Sequence, residues 1–249
     1  MRNINVGIIG FGTVGSGVAR ALLEKRAYLK RRLGASVNLV KICDKDLRRK
    51  RSVSPDRNLL TRDANDVINN PEIDIVVELV GGISPARELI LRAINNKKHV
   101  VTANKALLSE EKKRLFKAAE RRNVQLRFEA SVGGGVPIIK ALREGLVANR
   151  VNSIYGIING TCNYILSEMD NKDMSFSEAL SAAQKKGYAE RKPALDIEGY
   201  DSAHKLAILA SMGFGIDIKP KDHTMIIRCF LDLDMMLSFI KMKNIYIAG

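Results

Sequence analysis

Two hydrophobic periods alternate along the first half of the chain. Short, continuous apolar runs such as Val6-Gly7-Ile8-Ile9 read as buried strands, and between them apolar residues recur at helical spacing, as in Val14, Val18, Leu22 and Leu29. The second pattern predicts a helix from Val14 to Leu33, closed by Gly34. Further strands are predicted at 37–42, 73–79, 99–102 and 124–130, the last with Val124, Leu126 and Phe128 alternating. The helices between them are predicted from Asp63 to Asn70, from Ser84 as cap with Pro85 at the first position, and from Ser109 with Glu110 and Glu111 in its first turn, ended by Asn123. Strands that alternate with helices build a parallel, doubly wound α/β sheet. Its right-handed crossovers bring the loops after the strands to one edge, where ligands bind.

The alternation stops at Ser131. Gly133-Gly134-Gly135 breaks the chain, a helix is predicted from Pro137 to Ala148, and a strand from Val151 to Ile158. Asn159-Gly160-Thr161-Cys162 then turns into a helix with Thr161 as the expected cap. Ser175-Phe176-Ser177-Glu178 has capping-box spacing before a helix that ends at Gly187. The expected organisation is therefore two domains, residues 1–130 and a second, mixed α/β domain over residues 131–249.

The first apolar run leads straight into Gly10-Phe11-Gly12-Thr13-Val14-Gly15 and then the first helix. In this strand-turn-helix context the first glycine makes the turn, the second lets backbone approach a pyrophosphate, and the third lets helix and strand pack closely. The helix N-terminus supplies amides and partial positive charge to the phosphates. The first domain is accordingly read as a Rossmann-type dinucleotide-binding domain, with residues 10–15 as its phosphate turn. Asp44, after the second strand, is placed to take ribose hydroxyls, whereas Lys45, Arg48, Arg49, Lys50 and Arg51 suit a 2′-phosphate. Both NAD and NADP stay open, with a tilt to NADP. Lys105 follows the strand 99–102 and so belongs to the ligand edge.

Composition narrows the classes. At 249 residues and 46% hydrophobic the chain can bury a sizeable core, and no apolar run approaches the roughly 20 residues of a membrane span. A cytoplasmic location without a membrane partner is expected. Cys43, Cys162 and Cys229 are odd in number and lack C-x-x-C spacing, which points to reduced thiols rather than disulfides or zinc. The net charge of +14 would suit a polyanion, but the chain has no Trp, few aromatics among its basic residues and no nucleic-acid motif, so nucleic acid is not the expected partner.

Four acids, Glu190, Asp196, Glu198 and Asp201, follow Gly187, and Lys205 stands one helical turn after Asp201. One reading is an exposed ion pair of little energetic weight. The other is that the carboxylates hold a substrate ammonium while the lysine moves a proton.

Four segments in order, Gly10 to Gly15, Thr102-Ala103-Asn104-Lys105, Asn159 to Tyr164, and Gly187 to Glu190 through Gly199 to Lys205, resemble the homoserine dehydrogenases, and the resemblance runs over residues 4–215. It implies reversible NADH- or NADPH-dependent reduction of L-aspartate 4-semialdehyde to L-homoserine, a step towards threonine and methionine, in a homodimer formed through the second domain. It implies Lys205 as proton donor to the carbonyl oxygen, Lys105 beside nicotinamide and substrate, Glu190 and Asp201 as substrate carboxylates with Asp196 near them, and Gly187 against the cofactor. It also implies a monovalent cation, sodium, on the backbone carbonyls of Glu129, Val132, Gly134 and Val136. The chemistry agrees, because hydride delivered to an aldehyde creates an alkoxide that needs a proton and a nearby positive charge. His204 reads as structural, since Lys205 already fills the face towards Asp201.

Two features depart from the family. Arg191 and Lys192 precede Pro193 where the family carries an acid, and after Gly215 the resemblance thins towards an expected strand at 244–248. The catalytic domain is therefore expected to be incomplete. Two rival readings follow: a catalytically weak remnant that binds the cofactor, and a basic nucleic-acid-binding protein on the same scaffold.

Overall fold

The first apolar run becomes β1 (Arg2–Ile9) at the centre of a six-stranded parallel sheet. The computed structural model describes residues 2–154, 156–190 and 193–217. Contacts divide the chain into two compact units, Met1–Ser131 and one that begins at Val132.

In the first unit the elements follow as α1 (Thr13–Glu24), α2 (Arg26–Leu33), β2 (Ala35–Cys43), β3 (Leu60–Thr61), α3 (Asn65–Ile68), β4 (Ile75–Glu78), α4 (Ser84–Asn95), β5 (His99–Thr102), α5 (Lys105–Arg121) and β6 (Leu126–Arg127). The strand order β3-β2-β1-β4-β5-β6 reverses at β1, the topology of a doubly wound nucleotide-binding sheet. Val6, Ile8, Phe11, Ala19, Ile42 and Val77 form a core cluster, packed by Val18, Leu22 and Leu39. On the α4 and α5 side Ile90, Ile94, Leu107 and Leu115 are wholly buried, each contributing about 1.5–3 kcal/mol by leaving water. An Arg87–Glu111 ion pair links the two helices.

Three helix starts or spans differ from expectation. The first helix breaks at Lys25, whose φ of −102° and ψ of 19° leave the helical region. Beyond Leu22 only Leu29 is even half-buried in α2, so no apolar stripe holds that segment in line with α1. Ser84 makes no capping bond, because the helix begins at Ser84 itself after Ile83. Helix α5 starts a turn before Ser109: Asn104 is the cap, its side chain accepting from Leu107 N–H at 3.1 Å, and Ser109 is buried with its hydroxyl donating to the Ala106 carbonyl.

The second unit comprises α6 (Ile138–Lys140), a π-helical turn at 141–145, α7 (Gly160–Lys172), α8 (Phe176–Lys185), α9 (Ala194–Ile197) and α10 (Tyr200–Phe214). The helix expected to reach Ala148 is thus cut short. The strand expected at 151–158 is not formed among the described residues, where Ile154 and Ile157 carry isolated bridges; a strand needs a continuous ladder alongside it. The capping box at Ser175 and Glu178 is present with both bonds. Ile165, Ala179, Ala183 and Ala189 make a small core between α7, α8 and the turn that follows. Arg191, Lys192 and the expected strand at 244–248 lie outside the described residues.

Candidate active site

The C-terminal tips of the strands carry the first unit's chemistry. Gly10 turns the chain after β1 with φ of 103°, and a Cβ there would lie 2.6 Å from the Leu79 backbone. A Cβ on Gly15 would stand 2.0 Å from the Gly10 carbonyl, so α1 packs against the turn only because that side chain is missing. Gly12, the residue before α1, faces open space instead. The turn therefore leaves open space in front of the first α1 amides.

Asp44 stands just after β2. Its Oδ2 accepts from Phe11 N–H at 2.6 Å and its Oδ1 from Asp46 N–H at 2.8 Å. Arg51 closes the same corner: Nε donates to the Phe11 carbonyl at 2.5 Å, and the guanidinium lies 3.4 Å from Asp44 and 4.5 Å from the Phe11 ring centre. The aspartate thus holds the turn and is paired with a cation. Beneath it Cys43 is buried. Burial first, then the charges of Asp44, Asp63 and Asp66, push its thiol from an ordinary 9.0 up to about 11.

On the next two strands Glu78 is wholly buried at the tip of β4. Its oxygens accept from Val80 N–H and from the Thr102 hydroxyl, both at 2.7 Å. Thr102 Oγ1 accepts from Asn104 N–H at 3.0 Å, and Asn104 Nδ2 donates to the Gly82 carbonyl at 2.6 Å. This run of bonds sets the start of α5, where Lys105 is the first residue.

In the second unit a cavity of about 530 Å³ is lined by Asn159, Gly160, Thr161, Tyr164, Gly187, Tyr188, Asp196, Asp201 and Lys205. Lys205 Nζ lies 2.6 Å from Asp201 Oδ2 and donates to the Ile158 carbonyl at 2.6 Å. The exposed-pair reading fails here, because the side chains of Lys205 and Asp201 are only 19% and 9% accessible. Asn159 joins the acids: its amide donates to Asp196 at 3.0 Å and to Asp201 at 3.3 Å, while its oxygen caps α7 by accepting from Cys162 N–H at 2.8 Å. The cap is therefore Asn159 and not Thr161, whose hydroxyl donates to the Tyr188 carbonyl at 2.8 Å and fastens the 187–190 turn to α7. The Tyr164 and Tyr188 rings, 4.9 Å apart, form one wall.

Two family models cover most of the chain. The model for the homoserine dehydrogenase NAD-binding domain matches residues 10–129, and that for homoserine dehydrogenase matches residues 137–235. The chain belongs to the homoserine dehydrogenase family. It is 47% identical to the homoserine dehydrogenase of Neisseria gonorrhoeae over 215 residues, which is 86% of this chain and 49% of that one. The crystal structure of a homoserine dehydrogenase from Thiobacillus denitrificans superposes with a TM-score of 0.82 at 48% identity, over 89% of this chain and 51% of the other. A hyperthermophilic archaeal homoserine dehydrogenase in complex with NADPH matches with a TM-score of 0.72 at 27% identity, over 86% of this chain and 70% of the other. The chain spans about half the length of the curated relatives it matches.

Asp196, Asp201, Lys205 and Gly187 line one cavity. Glu190 is exposed and does not line that cavity; its carbonyl accepts from Gln184 Nε2 at 3.0 Å. His204 is half-buried and does not line it either. In the glycine break the Val136 carbonyl accepts from Ile138 N–H at 2.8 Å. Among the described residues no group of three or more His, Cys, Asp or Glu could hold a metal ion. Sequence reasoning missed Asn159, Glu78 and the inward turn of Arg51. The first of these left a signal, since an asparagine ahead of Gly160-Thr161 is a strong cap residue.

Proposed function

We propose that this chain carries the substrate and cofactor sites for reversible NADPH-dependent reduction of L-aspartate 4-semialdehyde to L-homoserine, in threonine and methionine biosynthesis. The observation that carries the reading is the largely buried Lys205–Asp201 pair within a cavity that also holds Asp196. Family membership supplies the reaction and the cavity supplies its groups.

Asp196 and Asp201 hold the substrate ammonium, with Asn159 fixing both carboxylates. Two of the three Lys205 ammonium hydrogens go to Asp201 and the Ile158 carbonyl, so the third is available to the substrate carbonyl oxygen. Lys205 then protonates the developing alkoxide in the reducing direction and takes the proton back in the other. Lys105, held by the Asn104 cap, contributes positive charge for substrate and nicotinamide, and Gly187 lies against the cofactor. Bound at residues 10–15, the dinucleotide supplies the hydride. Arg51 beside Asp44 favours NADP over NAD, in keeping with the NADPH complex of the archaeal relative. A sodium ion on the carbonyls of Glu129, Val132, Gly134 and Val136 fits the glycine-rich turn, because a carbonyl oxygen with two lone pairs can accept an N–H and also face a cation. The working state is a cytoplasmic homodimer.

The test is NADPH oxidation with L-aspartate 4-semialdehyde. Lys205→Ala should lower kcat by about 10²–10⁴-fold while leaving NADPH affinity unchanged. Undiminished turnover in that variant would remove Lys205 from the reaction, and nucleotide binding without turnover in the unaltered chain would leave only a cofactor-binding protein.

A further inference from the structure

The first unit has a second concavity at the opposite end of its sheet, about 450 Å³, where β1, β4 and β5 begin. Its lining carries the cations Arg2, Lys97 and Lys98, together with His99, against one acid, Asp74. That acid is already engaged, its Oδ2 accepting from Asn5 N–H at 2.8 Å.

Lys98 is the unusual member. Only 5% of the residue is exposed, and its ammonium donates to the Asn70 carbonyl at 2.5 Å and the Ile73 carbonyl at 2.7 Å, which leaves one N–H. A buried ammonium held by neutral carbonyls lacks a full counter-charge, and burial pushes its pKa down despite the opposing pull of Asp74. His99 adds a fixed donor: Nδ1 accepts from Gln125 N–H at 2.9 Å, so a neutral ring carries its proton on Nε2. Lys97 takes φ of 57° after α4, a left-handed position where glycine is usual, and it brings a second lysine to the rim at the cost of backbone strain.

We propose that this cavity binds a compact oxyanion, a phosphate group free or as a small monoester, between Arg2, Lys97 and Lys98. The anion supplies the counter-charge that Lys98 lacks and gives the strained Lys97 a partner. Because the phosphate turn at residues 10–15 lies at the other edge of the sheet, the two sites fill independently.

The experiment is calorimetric titration of inorganic phosphate into the full chain at ionic strength held constant with sodium chloride. One saturable site per chain is expected. Arg2→Ala and Lys97→Ala, both at the solvent-facing rim, should each weaken it about tenfold, the loss of one charge-assisted hydrogen bond. Arg51→Ala, at the nucleotide corner, should leave it unchanged, and circular dichroism checks that all three variants keep their fold. Glycerol phosphate as a second titrant distinguishes a monoester pocket from one that accepts only the free ion. The proposal is overturned by an absence of saturable heat, by a signal lost in Arg51→Ala but kept in the other two variants, or by a response to a short DNA duplex with none to phosphate.

Discussion

Cys43 shows how one side chain reports the electrostatics of the nucleotide corner. The fold favours its neutral thiol, with the pKa raised from 9.0 to about 11. This contribution to stability is full below pH 9 and is lost as pH rises towards 11, because only the unfolded chain releases the proton in that window. Urea midpoints measured from pH 8 to 11 should fall with pH, and Cys43→Ala should flatten the fall. Glu78 makes a second case. Glu78→Gln would set an amide donor against Val80 N–H, or against the Thr102 hydroxyl, whose own proton would then lose its acceptor. A loss of about 1–3 kcal/mol is expected from that unsatisfied contact, read from the urea midpoint. Arg51→Ala should raise the NADPH dissociation constant more than that for NADH; equal changes would show that Arg51 only props the Phe11 turn.

At the scale of elements, the parallel sheet was legible because its strands are buried on both faces and so appear as unbroken apolar runs. Helix boundaries were less so. Ser84, Ser109 and Thr161 all have capping chemistry, yet the caps fall at Ile83, Asn104 and Asn159, since capping depends on the backbone angles of the residue as well as its side chain. The break at Lys25 carries no Gly or Pro to announce it. Within the candidate site, the Asp201–Lys205 pair was readable from its one-turn spacing, whereas Asn159 meets Asp196 and Asp201 from 37 and 42 residues away, a contact that only the folded unit creates. Asn159→Ala removes a cap and loosens two carboxylates together. It should cost about 1 kcal/mol in stability and raise KM for the semialdehyde, whereas Thr161→Ala, which leaves the cap intact, should have the smaller effect on melting temperature.

For the molecule as a whole, the net charge of +14 sets a background attraction for any polyanion. Retention on immobilised DNA should therefore fall steeply with salt and be indifferent to DNA sequence, as phosphate contacts alone would produce. Sequence-selective binding that persisted at high salt would instead favour the rival reading of a nucleic-acid-binding protein. Each unit matches its own family model, residues 10–129 in the first and residues 137–235 in the second.

The hydrogen bonds around Glu78 have a further consequence. They leave the segment after β4 at Val80, pass through Thr102 and Asn104, and return to it at Gly82. The segment is thus stapled at both ends to a closed circuit, and the Val80 amide should exchange with deuterium as slowly as the central strands. Fast exchange at Val80 would show instead that the circuit opens and that any ligand of this rim must first order it.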